Sequence, residues 1–111
     1  MSEEVRQGLV ARLSPELNGR QRRQLKSLAH SLKPVVNVGH GGLSEGLIAS
    51  IDVAIGDHEL IKVKVLQNQY TPLEELAEEI VAQTKAALVQ KVGRILVLYR
   101  RHPEEPKIQL K

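Results

Sequence analysis

Four consecutive residues, Gly39-His40-Gly41-Gly42, place three glycines and a histidine at the end of an apolar run. Glycine adopts positive φ readily and allows another molecule to approach the backbone closely, and successive free backbone N–H groups bind anions. The residues that follow have helical periodicity, and a helix N-terminus adds unpartnered N–H groups and partial positive charge. This segment therefore predicts a phosphate-binding corner, although a tight turn without a ligand would use the same residues.

A set of basic side chains precedes this corner in the chain. No acidic residue occurs from Asn18 to Ser44, and intervals of three, four and three residues place the basic side chains at 23, 26, 30 and 33 on one side of a helix. No glutamate lies three or four residues away within that helix to relieve their repulsion. Phosphate contacts explain such a row better than a solvated helix face does. The candidate RNA contacts of the whole basic segment are Arg20, Arg22, Arg23, Lys26, His30 and Lys33.

The opposite charge is concentrated elsewhere in the chain. From Gln67 to Thr84 there are four glutamates and no Lys or Arg, while the net charge of the whole chain is only +3. One side of the domain is therefore expected to be electropositive and another electronegative. The alternating segment at 59–66 would place its lysines on one face of a strand. Further candidates for the basic surface, if they lie on its side, are Lys62 and Lys64 with Arg94, Arg100 and Arg101.

The composition limits the classes of function. A chain of 111 residues fits one domain with its own core. No apolar run is long enough to span a bilayer, and no signal peptide is recognisable. Cysteine is absent and the four histidines lack metal-ligand spacing, so we expect no metal, no cofactor and a cytoplasmic location.

The aromatic residues restrict how RNA would be bound. There is no Phe or Trp, and the two tyrosines are Tyr70 and Tyr99. Serial stacking of bases on an exposed sheet is therefore unavailable, and Tyr99 is expected in the core or at a sheet edge. Recognition would depend on phosphates, 2′-OH groups and shape, which favours structured RNA.

A small phosphate- or nucleotide-handling enzyme is the alternative. Gly39-x-Gly41, with Asp57 and Glu59 further on, resembles half of a dinucleotide fingerprint, but Ser44 occupies the third glycine position. The "HGG" segment resembles an esterase oxyanion loop, but no G-x-S-x-G nucleophile is present. The basic segment also lacks a carboxylate to act as a base or metal ligand. A non-enzymatic protein is therefore favoured.

Hydrophobic periodicity predicts the elements that position these residues. The expected α/β fold is a single domain with a mixed four-stranded sheet and three main helices, in the order α-β-α-β-α-β-β. A capping box at Thr71-Pro72-Leu73-Glu74 would start the third helix, and Gly93 would form a tight turn before a central strand. The predicted helices are 18–32, 43–55 and 72–88, and the predicted strands are 34–38, 59–66, 89–92 and 94–100. The predicted parts of the chain are an N-terminal arm or short helix at 1–16, a domain at 17–101 and a loosely held tail at 102–111.

The segments "LKSLAHSLKPVVNVG", "HELIKVKV" and "LVLYR", with the G-x-x-G corner, occur in the order and spacing of the CRM domain family. The chain resembles its small bacterial YhbY-type members over residues 17–100. The resemblance implies a fold similar to the C-terminal domain of translation initiation factor three, and RNA binding through the G-x-x-G loop and its basic neighbours. It also implies a role on precursors of the large ribosomal subunit, with ribosomal proteins as further partners. Many members have Lys or Arg within the loop, where this chain has His40-Gly41, so the loop would act through its backbone.

Overall fold

The computed structural model describes residues 17–39, 41–66 and 71–111. These residues form three helices and four strands in the predicted order, which confirms the fold class. The predicted N-terminal arm at 1–16, His40 and Tyr70 lie outside the described residues. The elements are α1 (Gly19–Ala29), β1 (Val36–Val38), α2 (Glu45–His58), β2 (Leu60–Val65), α3 (Leu73–Thr84), β3 (Ala87–Val92) and β4 (Ile95–Tyr99).

The strands form one mixed sheet in the order β1-β2-β4-β3. The crossover through α2 makes β1 and β2 parallel, with Val36 opposite Val63. Strand β4 is antiparallel to both of its neighbours, and the turn between β3 and β4 contains Gly93 at φ +59°. The central position predicted for β4 is confirmed.

One face of the sheet, called the closed face, is covered by α2 and α3. Alternation along β2 directs Ile61, Val63 and Val65 to this face, as predicted. Ile51 and Ile55 of α2 are fully buried there. The other buried residues of this core are Val36, Val38, Leu76, Ala77, Ile80, Val81, Ala86, Leu96 and Leu98.

The opposite face, called the open face, is covered by α1 and the C-terminal tail over part of its area. Leu25 and Ala29 of α1 pack into a second cluster there with Leu60, Val89, Val97 and Tyr99. Lys62 and Lys64 alternate with the closed-face residues of β2 and so belong to the open face. The sheet lysines therefore lie on the same face as the basic helix, which the sequence left undecided.

A β-bulge alters the alternation of β3. Leu88 pairs with Leu98 and Gln90 pairs with Val97, so Val89 is an extra residue in the strand. As a result Val89 packs in the α1 cluster and Gln90 also faces α1.

Several predicted boundaries are wrong. Helix α2 continues beyond Gly56 and ends at His58, followed by the C-cap residue Glu59 at φ +64°. The capping box before α3 is absent, because Pro72 is the N-cap and makes no side-chain capping bond. Helix α3 ends at Thr84, followed by Lys85 at φ +60°. Leu88, which has helical periodicity in the sequence, instead pairs in the sheet, since tertiary packing overrides a local preference.

The C-terminal tail is held firmly, contrary to the prediction. Glu59 is 1% exposed, and its carboxylate accepts hydrogen bonds from the backbone N–H groups of Lys107, Ile108 and His102. The Gln24 side chain of α1 donates to the Gln109 carbonyl at 2.8 Å and accepts from the Lys111 N–H at 2.9 Å. The tail is thus fastened to both α1 and the end of α2.

Candidate nucleic-acid interface

A small cleft of about 130 Å³ separates α1 from the open face. Three of the predicted site residues meet there, since Lys26 and His30 come from α1 and Lys62 comes from β2. The remaining lining residues are Ala29, Gln90, Val92, Ile95 and Val97. The cleft therefore has a cationic rim and a largely apolar floor.

The sheet lysines extend this cationic region toward one end of the sheet. The Lys62 Nζ atom donates to the Leu32 carbonyl at 2.9 Å, which holds the ammonium group beside the end of α1. Lys64 lies two residues further along β2, about 7 Å away, and is exposed opposite the exposed Asn37 of β1. The next pair is Val38 with Val65, where both strands end.

The glycine loop begins at this same end of the sheet. Gly39 follows Val38 directly, and the Gly42 N–H donates to the Gly39 carbonyl at 3.0 Å to close a turn. Among the described loop glycines, Gly42 alone has positive φ, at +68°. Gly41 is exposed, and a Cβ atom there would meet nothing within 4 Å. The loop thus leaves the sheet at the end of β1 that lies next to Lys64 of β2.

The N-terminus of α2 contributes less to anion binding than the sequence indicates. The Ser44 hydroxyl accepts a hydrogen bond from the Leu47 N–H at 3.1 Å, and the Gly42 N–H is used within the turn. Glu45 adds a carboxylate to the first turn of the helix. That negative charge opposes a phosphate at this position, so the accessible backbone at Gly41 is the more favourable point of approach.

Arg22 has a structural contact within the fold. Its Nη1 atom donates to the Leu88 carbonyl at 2.9 Å and to the Val89 carbonyl at 2.7 Å, at the bulge. Arg20 and Arg23, in contrast, are exposed on α1. The row of basic residues in the helix therefore divides into a side chain that supports the sheet and others that face solvent.

The two arginines that flank β4 are also engaged in the fold. Arg94 donates from Nε to the Val65 carbonyl and from Nη2 to the Leu66 carbonyl, both at 3.0 Å. Arg100 forms an ion pair with Asp52 of α2 at 2.5 Å and donates to the Thr84 carbonyl at 2.7 Å. Arg100 thus connects elements of the closed face and does not extend the basic surface of the open face.

Lys33 lies at a different cavity, of about 470 Å³. Its walls are mostly apolar and include the exposed side chains of Leu28, Leu32 and Val35. His58 also lines it, together with Leu60, Ile61 and Ile108. The structure therefore does not bring Lys33 into the cleft with Lys26 and His30.

The acidic segment lies on the other side of the sheet, in α3. The Glu74 carboxylate accepts a hydrogen bond from Lys91 at 2.5 Å, and this bond lowers the pKa of Glu74. The remaining glutamates of the segment are Glu75, Glu78 and Glu79 on the same helix. Because α3 packs on the closed face and α1 on the open face, the two charge regions lie on opposite sides of the sheet.

Tyr99 is 1% exposed and lies in the core. The sequence predicted either the core or a sheet edge for this residue. Burial is the main cause that raises the pKa of its hydroxyl group. Its ring cannot serve as a stacking surface for a base.

Among residues 17–39, 41–66 and 71–111, no three His, Cys, Asp or Glu side chains are grouped so as to hold a metal ion. In these same ranges no helix has both the length and the apolar character required to cross a membrane.

Sequence reasoning missed some residues of the interface. Asn37 lies beside Lys64, and its polar side chain between Val36 and Val38 was a usable signal for an open-face position. Gln90 and Ile95 line the cleft. The sequence pattern around Gln90 did not indicate this position, because its side chain faces α1 only as a result of the bulge at Val89.

Comparisons with known proteins show which family and which relatives the chain resembles. The model of the CRS1/YhbY (CRM) domain family matches residues 17–100. A Haemophilus influenzae protein named as an RNA-binding protein is 51% identical over 94 residues, covering 85% of this chain and 94% of the relative. A Bacillus subtilis protein named as a probable RNA-binding protein is 42% identical over 94 residues, covering 85% and 98%.

A solved structure also resembles the fold. The solution structure of a hypothetical protein from Staphylococcus aureus matches with a TM-score of 0.73 and 43% sequence identity, and the match covers 86% of this chain and 100% of that one. With the family model spanning nearly the whole described domain, the chain belongs to the CRS1/YhbY (CRM) domain family.

Proposed function

We propose that this protein binds structured RNA without catalysing a reaction, and that the RNA is ribosomal RNA of the large-subunit precursor. The single observation that supports RNA binding best is the arrangement of the open face. Lys26, His30 and Lys62 meet at one cleft, and Lys64 continues from it toward the glycine loop. The names of the relatives agree with this function, and the family resemblance supports the ribosomal assignment.

Each part of this surface has a distinct task in the proposal. The ammonium groups of Lys26, Lys62 and Lys64 neutralise successive phosphates of one strand, which releases condensed counterions and supplies most of the affinity. Arg20 and Arg23 extend the contact along α1. Gly41 lets the sugar–phosphate backbone approach the loop, because it is exposed and has open space where a side chain would stand.

The salt dependence of binding tests this assignment. Arg23→Gln, Lys26→Gln and Lys64→Gln, made singly and together, remove cations without removing a buried contact of the fold. With transcribed large-subunit rRNA as the probe, each lost contact should reduce the slope of log K against log salt by about 0.7–0.9. Binding is measured by filter retention or fluorescence anisotropy over a range of salt concentrations.

The matched control is Lys85→Gln, which removes the same charge from an exposed position after α3. It should leave the slope unchanged. If the triple variant retains the wild-type slope, the open face is not the binding surface.

The loop provides an independent arm of the same experiment. Gly41→Asp places a carboxylate where the phosphate would approach and should weaken binding strongly, whereas Gly41→Ala should weaken it little. Gly42 is unsuitable for this purpose, because its φ of +68° would strain any side chain and confuse folding with binding. If the two Gly41 variants bound RNA equally well, the loop would not be part of the binding surface.

The identity of the RNA requires an experiment in cells. Ultraviolet crosslinking followed by sequencing of the bound RNA should recover large-subunit precursor rRNA, with fewer crosslinks from the triple variant. Enrichment of another RNA at the same side chains would retain RNA binding and reject the ribosomal assignment.

A further inference from the structure

The cleft between α1 and the open face has the size of a single ring. Its volume is about 130 Å³, and a cavity of about 150 Å³ in another protein holds one benzene molecule. The cleft lies on the surface proposed above to bind RNA, between the basic side of α1 and the open face of the sheet. Its volume is small for a fused two-ring system.

The lining of the cleft matches the chemistry of a nucleobase. The apolar floor of Ala29, Val97 and Ile95 can contact the faces of a flat ring. Lys62 uses one of its three N–H donors on the Leu32 carbonyl, at 2.9 Å, and retains two. Gln90 offers both an amide donor and a carbonyl acceptor at the rim. A pyrimidine presents carbonyl oxygens and ring nitrogens along one edge, and these groups pair with such a rim.

The position of the cleft determines how a base would reach it. Phosphates on either side of an inserted base would be near Lys26, which lines the cleft, and Lys64, which pairs with the lining residue Ile95. Bases within an RNA duplex are not available for insertion, whereas bases in loops, bulges and single strands can turn outward. Because Tyr99 is buried, its ring is not available to a base, whereas the cleft offers accessible apolar and polar groups.

We propose that this cleft binds one unpaired pyrimidine of the RNA, with Gln90 contacting the polar edge of the base. The inference rests on the proposed function, since the phosphates must first be held by the surrounding lysines. It adds a preference among RNA sites, which phosphate contacts alone do not supply.

Short single strands test the inference directly. The probes are RNA pentamers of uridine, of adenosine and of abasic ribose phosphate, whose uniform sequence makes the binding register irrelevant. The uridine pentamer should bind about three- to tenfold more tightly than the abasic one, as expected for one or two added polar contacts, and the adenosine pentamer should resemble the abasic one. NMR titration gives both the affinity and the location, through the backbone amides of Gln90 and Val97.

Substitutions in the cleft test whether the preference for uridine arises there. Gln90→Leu keeps a similar side-chain size and removes the polar edge, so the preference for uridine should disappear. Val92→Trp should also remove it, by filling the cleft from a position that is 52% exposed and can accept a larger side chain. The control is Gln83→Leu on the exposed side of α3, which should retain the preference. Circular dichroism confirms that each variant is folded.

The outcomes separate this inference from the proposed function. The cleft proposal would be wrong if the uridine and abasic pentamers bound equally, or if no pentamer bound while large-subunit rRNA still did. Either result would leave the proposed RNA binding intact. Equal and tight binding of uridine and adenosine would overturn the single-ring preference. If uridine 5′-monophosphate bound as tightly as the pentamer, the ligand would be a free nucleotide. If neither pentamers nor rRNA bound, both proposals would fail.

Discussion

The two faces of the sheet differ in what they contribute: the closed face forms the main core, and the open face carries the candidate interface. On the closed face, Ile61, Val63 and Val65 of β2 are covered by α2 and α3 and are at most 1% exposed. On the open face, Lys62 and Lys64 of the same strand alternate with them, and Lys64 is exposed. A single strand of six residues thus contributes alternate side chains to the core and to the candidate interface.

The difference arises from how far each face is covered. Helix α1 and the tail cover the part of the open face around Leu60 and Tyr99, and the part toward the glycine loop remains accessible. Lysine is tolerated there because its charged end reaches solvent while its aliphatic chain lies along the sheet. A change on the closed face should therefore affect stability, and a change on the accessible part of the open face should affect binding.

The largest expected effect is on the closed face. Leu96 of β4 is 0% exposed, so Leu96→Ala removes buried methyl groups and leaves a cavity. We expect a loss of about 2–5 kcal/mol in the free energy of unfolding, measured by urea denaturation. Lys64→Ala, on the neighbouring strand, should change it by less than about 0.5 kcal/mol. Comparable losses from the two variants would remove the distinction between the faces.

A pair of adjacent arginines sharpens the comparison within α1. Arg22→Met leaves the Leu88 and Val89 carbonyls at the bulge without their donor, and should lower the free energy of unfolding by about 1–3 kcal/mol. Arg23→Met should leave stability nearly unchanged and weaken RNA binding. Urea denaturation and anisotropy on both proteins provide the test. An equal loss of stability in the Arg23 variant would contradict it.

The smallest effect concerns the exposed ion pair between Glu74 and Lys91. Since the bond lowers the pKa of Glu74 in the folded state, its contribution is complete above the unfolded-state pKa and is lost as pH falls through the folded-state pKa. Lys91→Gln should therefore lower the thermal midpoint slightly at neutral pH. The two proteins should converge in strong acid. A difference that persists or grows in acid would show that Lys91 acts through another contact.

Much of the fold was predictable because its signals are local. The alternation of β2, the apolar β4 and the turn at Gly93 each depend on the residues of the element itself. The end of α3 was not predictable in this way, because Leu88 continues the helical periodicity and its place in β3 depends on pairing with Leu98.

The candidate site was predictable in its charges and not in its shape. The basic residues of α1 and the lysines of β2 can be identified from their spacing. The cleft cannot, because it requires Gln90 to face α1 through a bulge whose Leu88 and Val89 carbonyls are held by Arg22, far away in the chain. The anchoring of the tail by Glu59 is equally non-local, since its partners follow it by more than forty residues.

The bulge in β3 also affects how separate molecules meet. Strands β1 and β3 form the two edges of the sheet, and an unprotected edge invites strand-by-strand association between copies of a protein. Strand β1 has only three residues, and β3 is interrupted at Val89 with two of its carbonyls engaged by Arg22. Within the described sheet neither edge offers a long regular template, so we expect the guanidinium group that engages the bulge also to disfavour pairing of copies along β3.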